Sequence, residues 1–266
     1  MNETEQANQI TKSIDEMNRS GKFQEAIEQA DIAIAQFTPP GFGEGHCFSF
    51  DSMEQFIFFC AKMKSINKLD TAIYSACHEA TILTSKAYAL CELKRHEDAI
   101  QALNHALLYN PISTDIRFEL VENYLQLRQY DQVARIMKEL EALVIYPKEI
   151  AKYYRRYGYL FTEEGKFKPA LACYMFSLHL EPSDLAVSEV GYILQECLKV
   201  PVPEGKAMIA SMNGDGAVRI LVKNNVFLQI NDERLTLLSG GGAESGKNYF
   251  EEYYALGIVK KAQICS

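Results

Sequence analysis

Apolar and small residues recur along most of this chain three or four positions apart, which is the spacing of one helix face. The pattern is clearest in residues 154–182, where large residues surround a glycine and a second stripe begins with an alanine. The two stripes and the proline after them comprise Tyr154, Tyr157, Gly158, Phe161, Ala170, Tyr174 and Pro182. This segment predicts two antiparallel helices, because the small residues allow a close approach and the proline ends the second helix.

The same arrangement returns upstream at a regular interval. The small or β-branched residue near the start of each second helix is Ala26, Ala99, Val133 and Ala170, at separations of 73, 34 and 37 residues. These positions predict helix pairs near residues 7–40, 80–113, 114–150 and 151–184. Since 73 is close to two intervals of 34, the chain has room for one more pair between the first two.

Residues 41–79 fill that room without the repeated pattern. The stretch "SMEQFIFFCAKMKS" has the spacing of an amphipathic helix. The stretch "TAIYSACHEATILTSKAYALCELK" predicts a long helix that runs into the next pair. We therefore predict a degenerate helical insert over 41–79.

The last third of the chain repeats less clearly. Ser183 or Asp184 is placed to cap one more first helix, and "PVPEG" at 201–205 then predicts a linker. We expect residues 1–200 to form the repeat domain and residues 201–266 to form a region that caps its last pair.

Residues 215–230 are compatible with two structures. Apolar residues on either side of Asn224-Asn225 fit a β-hairpin. They also fit a short helix over 215–224 followed by an extended segment. A tail that caps an array of helices favours the second structure.

The interval of 34 residues and the order of large and small residues resemble the tetratricopeptide repeat family. Tyr154 and Tyr157 replace the usual Trp and Leu of that family. The resemblance implies an all-α fold, a right-handed α-α superhelix (a solenoid) with a C-terminal helical cap. It also implies a concave groove, lined by the first helix of each pair, that holds an extended peptide or helix of a partner.

The family's groove-facing positions can be transferred to this sequence. In the first copy they are Asn8, Thr11 and Asp15. In the other copies they are Thr84, Tyr88, Cys91, Phe118, Glu122, Leu125, Lys152, Arg155 and Tyr159. The alternative, that these residues simply face solvent, stays open at this point.

One subclass of the family holds C-terminal carboxylates in a clamp of Lys, Asn and Arg. The corresponding positions here are Thr11, Asp15, Ser85, Asp115 and Glu119. Three of these residues are acidic and would repel a carboxylate. Aromatic residues at Tyr88, Phe118 and Tyr159 could instead hold apolar anchors, and Lys152, Arg155 and Arg156 could meet an acidic segment.

Charge and hydropathy exclude other partners. The formal net charge is −8, whereas a nucleic-acid-binding surface needs a basic stripe. The apolar run "FIFFCAKM" is too short to span a bilayer, and the acidic start "MNETEQANQITKSIDEM" has no secretory signal pattern. We expect a cytoplasmic protein of bacterial origin whose partner is a protein or peptide, with no nucleic acid and no membrane.

The C-terminal region matches the spacing of a phosphate-binding loop only in part. Gly241, Gly246 and Lys247 match the spacing G-x-x-x-x-G-K, but Asn248 stands where Mg²⁺ binding needs Ser or Thr. Gly-Lys pairs also precede the second helix in two copies, at Gly21 and Gly165, where a glycine with positive φ suits a tight turn. The tail motif is predicted to be another such turn.

Metal and thiol chemistry are also weak candidates. His46, Cys47, Cys60, Cys77 and His78 do not have the spacing of a common zinc site. Cys47 and Cys91 lack a neighbouring activating residue in the sequence. No cofactor is therefore expected.

The leading interpretation is a non-catalytic scaffold or adaptor. A sensor of short signalling peptides is the alternative, although residues 1–40 are committed to a repeat where such sensors often carry a helix-turn-helix. A thiol-dependent enzyme that uses Cys47 or Cys91 is a distant third.

Overall fold

A computed structural model describes residues 3–37, 47–50, 55–56, 59–60, 73–74, 78–213 and 215–230. These residues are mainly helical. The helices are α1 Glu3–Arg19, α2 Phe23–Phe37, α3 Glu79–Glu92, α4 His96–Tyr109, α5 Thr114–Gln126, α6 Tyr130–Glu141, α7 Pro147–Glu163, α8 Phe167–Leu180, α9 Asp184–Tyr192, α10 Val202–Ser211 and α11 Asp215–Lys223. None of the helices in these ranges combines the length and the apolar character needed to cross a bilayer.

Packing divides the chain into two compact units, residues 1–143 and 144–266. This division falls after residue 143, whereas the sequence predicted a domain boundary after residue 200, which stays a prediction. In the first unit, consecutive helices pack against one another from α1 through α6. Helix α3 packs against both α1 and α2, although residues 38–78 separate them in the sequence. The predicted helix pairs are therefore present and packed in chain order within this unit.

The predicted insert is only partly described, and one part of the prediction is wrong. Strand β1 (Cys47–Phe48) pairs in parallel with β2 (Ile73–Tyr74), so the predicted long helix does not include Ile73. Helix α3 begins at Glu79, because His78 has a φ of 56° and a left-handed residue cannot continue a right-handed helix. Most of "SMEQFIFFCAKMKS" lies outside the described residues.

One turn geometry recurs between the two helices of each pair. A residue with positive φ stands there at Gly21, Lys94, Arg128 and Gly165. The next residue donates its backbone N–H to the carbonyl five positions earlier, for example Lys166 to Phe161 at 2.8 Å and Arg95 to Leu90 at 2.9 Å. The predicted positive φ of the two glycines is confirmed. The separations between the four turns, 73, 34 and 37 residues, equal those in the sequence pattern.

A fifth turn with a positive φ was not predicted, and its hydrogen bond differs: Val200 donates its backbone N–H to the carbonyl of Leu194, six positions earlier, at 3.1 Å. Lys199 has a φ of 51° and lies 34 residues after Gly165. It joins a π-helical turn (Ile193–Cys197) that extends α9 to helix α10. The prediction of a linker at 201–205 is therefore wrong. Pro201 caps α10, and prolines are tolerated at a helix start because the first turn leaves its N–H groups unbonded.

In the second unit, α8 packs against α7, α9 and α11. Residues 215–223 form a helix, as the favoured interpretation predicted, and no hairpin forms there. The chain that follows α11 turns inward, with Leu228 fully buried. The backbone N–H of Leu228 donates to the hydroxyl of the fully buried Tyr154 on α7 at 2.9 Å, which attaches this segment to the α7–α8 pair.

Candidate functional site

The first unit contains a cavity of about 580 Å³ that opens between first helices. Helices α1, α3 and α5 contribute most of its lining. The lining residues are Asp15, Asn18, Arg19, Thr84, Ser85, Ala87, Tyr88, Cys91, Leu103, Asp115, Glu119 and Asn123. This volume is in the range of sites that hold a small molecule or a few residues of a peptide.

Hydrogen bonds between α1 and α3 fix one side of the cavity. The amide nitrogen of Asn18 donates to the backbone carbonyl of Ser85 at 2.9 Å. The Ser85 hydroxyl donates to a carboxylate oxygen of Asp15 at 2.8 Å. Asp15 and Asn18 lie three positions apart and so share one face of α1. The two bonds hold that face against α3.

Asn123 on α5 fixes the opposite side. Its side-chain oxygen accepts from the Cys91 thiol and contacts Nδ1 of His96, both at 3.0 Å. Since an amide oxygen can only accept, Nδ1 carries the proton in this contact. The Asn123 amide nitrogen donates to the carbonyl of Glu119 at 2.9 Å. This one side chain therefore links α3, the start of α4 and α5.

The cavity lining is acidic. Asp15, Asp115 and Glu119 carry negative charge, and Arg19 offsets one of them. Asp115 lies in the first turn of α5 and is exposed. These residues were identified in the sequence as the positions of a carboxylate clamp with the wrong sign, and the structure brings them together around one cavity.

Asn18 provides an unused hydrogen-bond acceptor. Its side chain is nine-tenths buried, with a residue exposure of 7%, and its Oδ1 has no hydrogen-bond partner among the described residues. The orientation of the amide is set by chemistry: its nitrogen faces a carbonyl, which can only accept, so the oxygen is the atom left over. A buried acceptor without a partner costs free energy, so a donor that reaches it is favoured.

Tyr88 provides the apolar part of the lining. It is 51% exposed. Its centroid lies 6.4 Å from that of Phe23 in an edge-to-face arrangement, which holds the ring in place. The ring can therefore offer a face to a bound molecule.

The predicted groove residues of the first unit divide into two groups. Thr84, Tyr88 and Cys91 on α3 line the cavity. On α5, Phe118 is fully buried, so its prediction as a groove-facing anchor is wrong. Glu122 and Leu125 are half-buried and are not among the lining residues.

The cause of the error on α5 is a shift between neighbouring stripes. On α5 the residues that line the cavity are Asp115, Glu119 and Asn123. The predicted stripe begins three positions after Asp115, at Phe118. Three residues turn a helix by about 300°, so the two stripes lie about 60° apart. The asparagines were missed in the sequence, although Asn18 lies three positions from Asp15 and Asn123 four from Glu119, which is the spacing of one face.

The remaining predicted residues lie in the second unit, on α7. Lys152 is half-buried and Tyr159 is 37% exposed. Arg155 donates to Glu181, at the end of α8, at 2.8 Å, and its side chain is 13% exposed. Arg155 was predicted to meet an acidic segment of a partner. Its charge is instead compensated by Glu181, and the ion pair joins α7 to the end of α8.

Cys91 is not prepared for nucleophilic chemistry. Burial raises the pKa of its thiol, the carboxylates of Glu119 and Glu92 raise it further, and the bond to Asn123 only partly opposes this. The thiolate is the reactive form, so a raised pKa lowers its population at neutral pH. Cys47 lies in β1, and nothing is described of its side chain.

We predict slow alkylation of Cys91 in the folded protein. At pH 7 its rate with iodoacetamide should be several-fold below that of a cysteine in an unstructured peptide, because less thiolate is present. Peptide mass spectrometry at a series of pH values measures the rate, with the urea-unfolded chain as control. A half-maximal rate at or below the pH found for the unfolded chain would contradict the raised pKa.

Among the described residues, no group of three or more His, Cys, Asp or Glu side chains is arranged to hold a metal ion. His46 and Cys77 of the rejected zinc set lie outside the described residues, as does the loop from Gly241 to Asn248.

A scan against protein-family models and searches of curated proteins and of solved structures found no match for this chain.

Proposed function

We propose that this chain is a non-catalytic scaffold or adaptor that binds an extended segment of a partner protein. In this proposal its helix pairs form a right-handed superhelix of the tetratricopeptide type, closed by the C-terminal helices. The segment lies against the first helices, over the cavity between α1, α3 and α5.

One observation carries the proposal: first helices of three successive described pairs contribute side chains to a single cavity. Stacked helix pairs place their first helices on one side, which is where repeat proteins of this architecture hold partners. The recurrence of the same turn at Lys94 and Arg128, 34 residues apart, supports a repeated unit. The exposed ring of Tyr88 supplies an anchor of the kind enriched at protein interfaces.

The protonated state of Cys91 favours binding over the thiol-enzyme alternative. The other groups that line the cavity are hydroxyls, amides and carboxylates, with Arg19 as a cation. The thiol of Cys91 donates a hydrogen bond to the side-chain oxygen of Asn123, so the thiol has a structural role.

Site-specific photocrosslinking tests the proposal. We expect p-benzoylphenylalanine in place of Tyr88 to crosslink a defined set of proteins in the source cell, each through one short segment found by mass spectrometry. The matched control has the same residue in place of Ile32, which is 67% exposed on α2 and does not line the cavity. That position should not capture the set.

Two outcomes would overturn the proposal: the same adducts from both positions, or no adduct from position 88. If the adducts at position 88 are free short peptides and no larger protein, the sensor interpretation replaces the adaptor.

A further inference from the structure

Resting on the proposed function, we infer that the cavity of the first unit receives a cationic group of the bound segment. The group is an arginine guanidinium, a lysine ammonium or a free α-amino group. All three groups are positively charged and carry N–H groups, so they can donate to the carboxylates that line the cavity.

Charge is the first argument. The lining residues carry three negative charges and one positive charge. A ligand with a positive group gains favourable Coulomb energy in this cavity, and a carboxylate or phosphate is repelled. Asp15 retains acceptor capacity, since its bond from Ser85 uses one of the sites on its carboxylate.

The buried oxygen of Asn18 is the second and independent argument. It lies on the same face of α1 as Asp15 and is an acceptor without a partner among the described residues. Only a donor can satisfy it, and guanidinium and ammonium groups are all donor. The oxygen itself is enclosed, so a cation that binds Asp15 meets it only after a small shift of the side chains around it.

Geometry favours an organic cation over a metal ion. A divalent metal needs several ligands within about 2.6 Å, and no three acidic, imidazole or thiol groups of the described residues are so arranged. Carboxylates distributed around a cavity of about 580 Å³ suit a larger cation with spread-out donors.

Tyr88 suits the remainder of such a side chain. Lysine and arginine carry apolar stems that pack on exposed rings while the charged end meets polar partners. Tyr88 is the half-exposed ring on the same cavity. Its face can also attract the cation directly.

Fixed-position peptide mixtures provide the test. The probes are acetylated and amidated pentapeptide mixtures whose central residue is Arg, Lys, citrulline or Glu. Citrulline has the shape of arginine without its charge. A further mixture with central citrulline and a free N-terminus tests the α-amino group. The full chain is immobilised, and retained peptides are quantified by mass spectrometry at low and at physiological salt.

We expect at least one cationic mixture to be retained about tenfold more than the acetylated citrulline mixture, and the Glu mixture least of all. The preference should weaken as salt increases, because the charges are partly exposed. The three cationic mixtures distinguish guanidinium, ammonium and α-amino sources.

Two matched variants locate the preference. Asp115→Lys changes the sum of the charges on the lining residues from −2 to zero. Asp131→Lys makes the same change of net charge on the next helix, α6. The two positions are matched, since each aspartate is exposed and is the second residue of its helix. The helix-dipole cost is therefore matched. We expect the cationic preference to fall about tenfold in the first variant and less than twofold in the second.

The outcomes separate this inference from the proposed function. Retention without a cationic preference, or with equal losses in the two variants, would overturn the cation site and leave peptide binding standing. Retention of no mixture by the wild-type chain would overturn both. Circular dichroism melting of each variant confirms that the compared proteins are folded.

Discussion

Replacing Phe118 with alanine is expected to lower the free energy of unfolding by about 3–5 kcal/mol, the usual cost of removing a fully buried aromatic side chain. Phe118 has no exposed surface in the structure, although its position in the repeat pattern assigned it to the groove. The mutation leaves a cavity in the first unit and removes ring contacts that water cannot replace.

Tyr88→Ala is the matched comparison, since both residues were predicted as aromatic anchors of the same groove. Tyr88 is half-exposed, so its removal should lower the free energy of unfolding by only about 1 kcal/mol, chiefly through the lost contact with Phe23. It should nevertheless weaken retention of the peptide mixtures. One residue is thus expected to control stability and the other binding.

Urea unfolding measures the difference, and native-state hydrogen exchange of the α5 amides confirms that the change lies in the first unit. An unchanged unfolding midpoint in Phe118→Ala would mean that its ring lies in solvent, as the sequence pattern predicted. A loss in Tyr88→Ala as large as in Phe118→Ala would mean that Tyr88 is a core residue and not an anchor.

These two residues show what the sequence could and could not provide. The interval of 34 residues predicted the helix pairs, because each pair needs small residues where its helices cross. It could not decide which of two neighbouring stripes on α5 faces the cavity. The stripes differ by about 60°, and the choice between them depends on tertiary packing, which a repeat pattern in one helix does not contain.

The turns give the same lesson at the level of the backbone. Positive φ was predicted at Gly21 and Gly165 because glycine adopts it at little cost. It also occurs at Lys94, Arg128 and Lys199, where a side chain makes it unfavourable and the sequence gives no sign of it. There the hydrogen bonds of the helix end impose the conformation. The fifth turn was missed for this reason.

The candidate site was partly predictable for a related reason. The acidic residues Asp15, Asp115 and Glu119 were found by their places in the repeat. Asn18 and Asn123 were not, because an asparagine on a helix face is ambiguous until its partners are known. Their importance comes from bonds to Ser85 and Cys91 on another helix.

Gly158 gives the second large effect on stability. A Cβ atom built at this position would lie 2.8 Å from ring atoms of Tyr174, closer than carbon atoms approach. Tyr174 is 2% exposed, so its ring has little room to move away. The close crossing of α7 and α8 therefore requires glycine, as the sequence pattern indicated.

We expect Gly158→Ala to destabilise the second unit by about 1–2 kcal/mol, although alanine has the better helix propensity. Overpacking costs about 1–3 kcal/mol, and the propensity gain of about 1 kcal/mol offsets only part of it. Gly158→Val adds two more methyl groups against the same ring and should cost about 3 kcal/mol or more.

Gly191 is the control, because it is also helical and lies in the same unit. A Cβ there would meet no atom of the described residues within 4 Å. Gly191→Ala should therefore stabilise the protein by up to about 1 kcal/mol through propensity alone. Thermal unfolding of both alanine variants measures the contrast. Opposite signs mean that the Tyr174 ring fixes the distance between α7 and α8, whereas two stabilised variants would mean that the pair can separate to admit a methyl group.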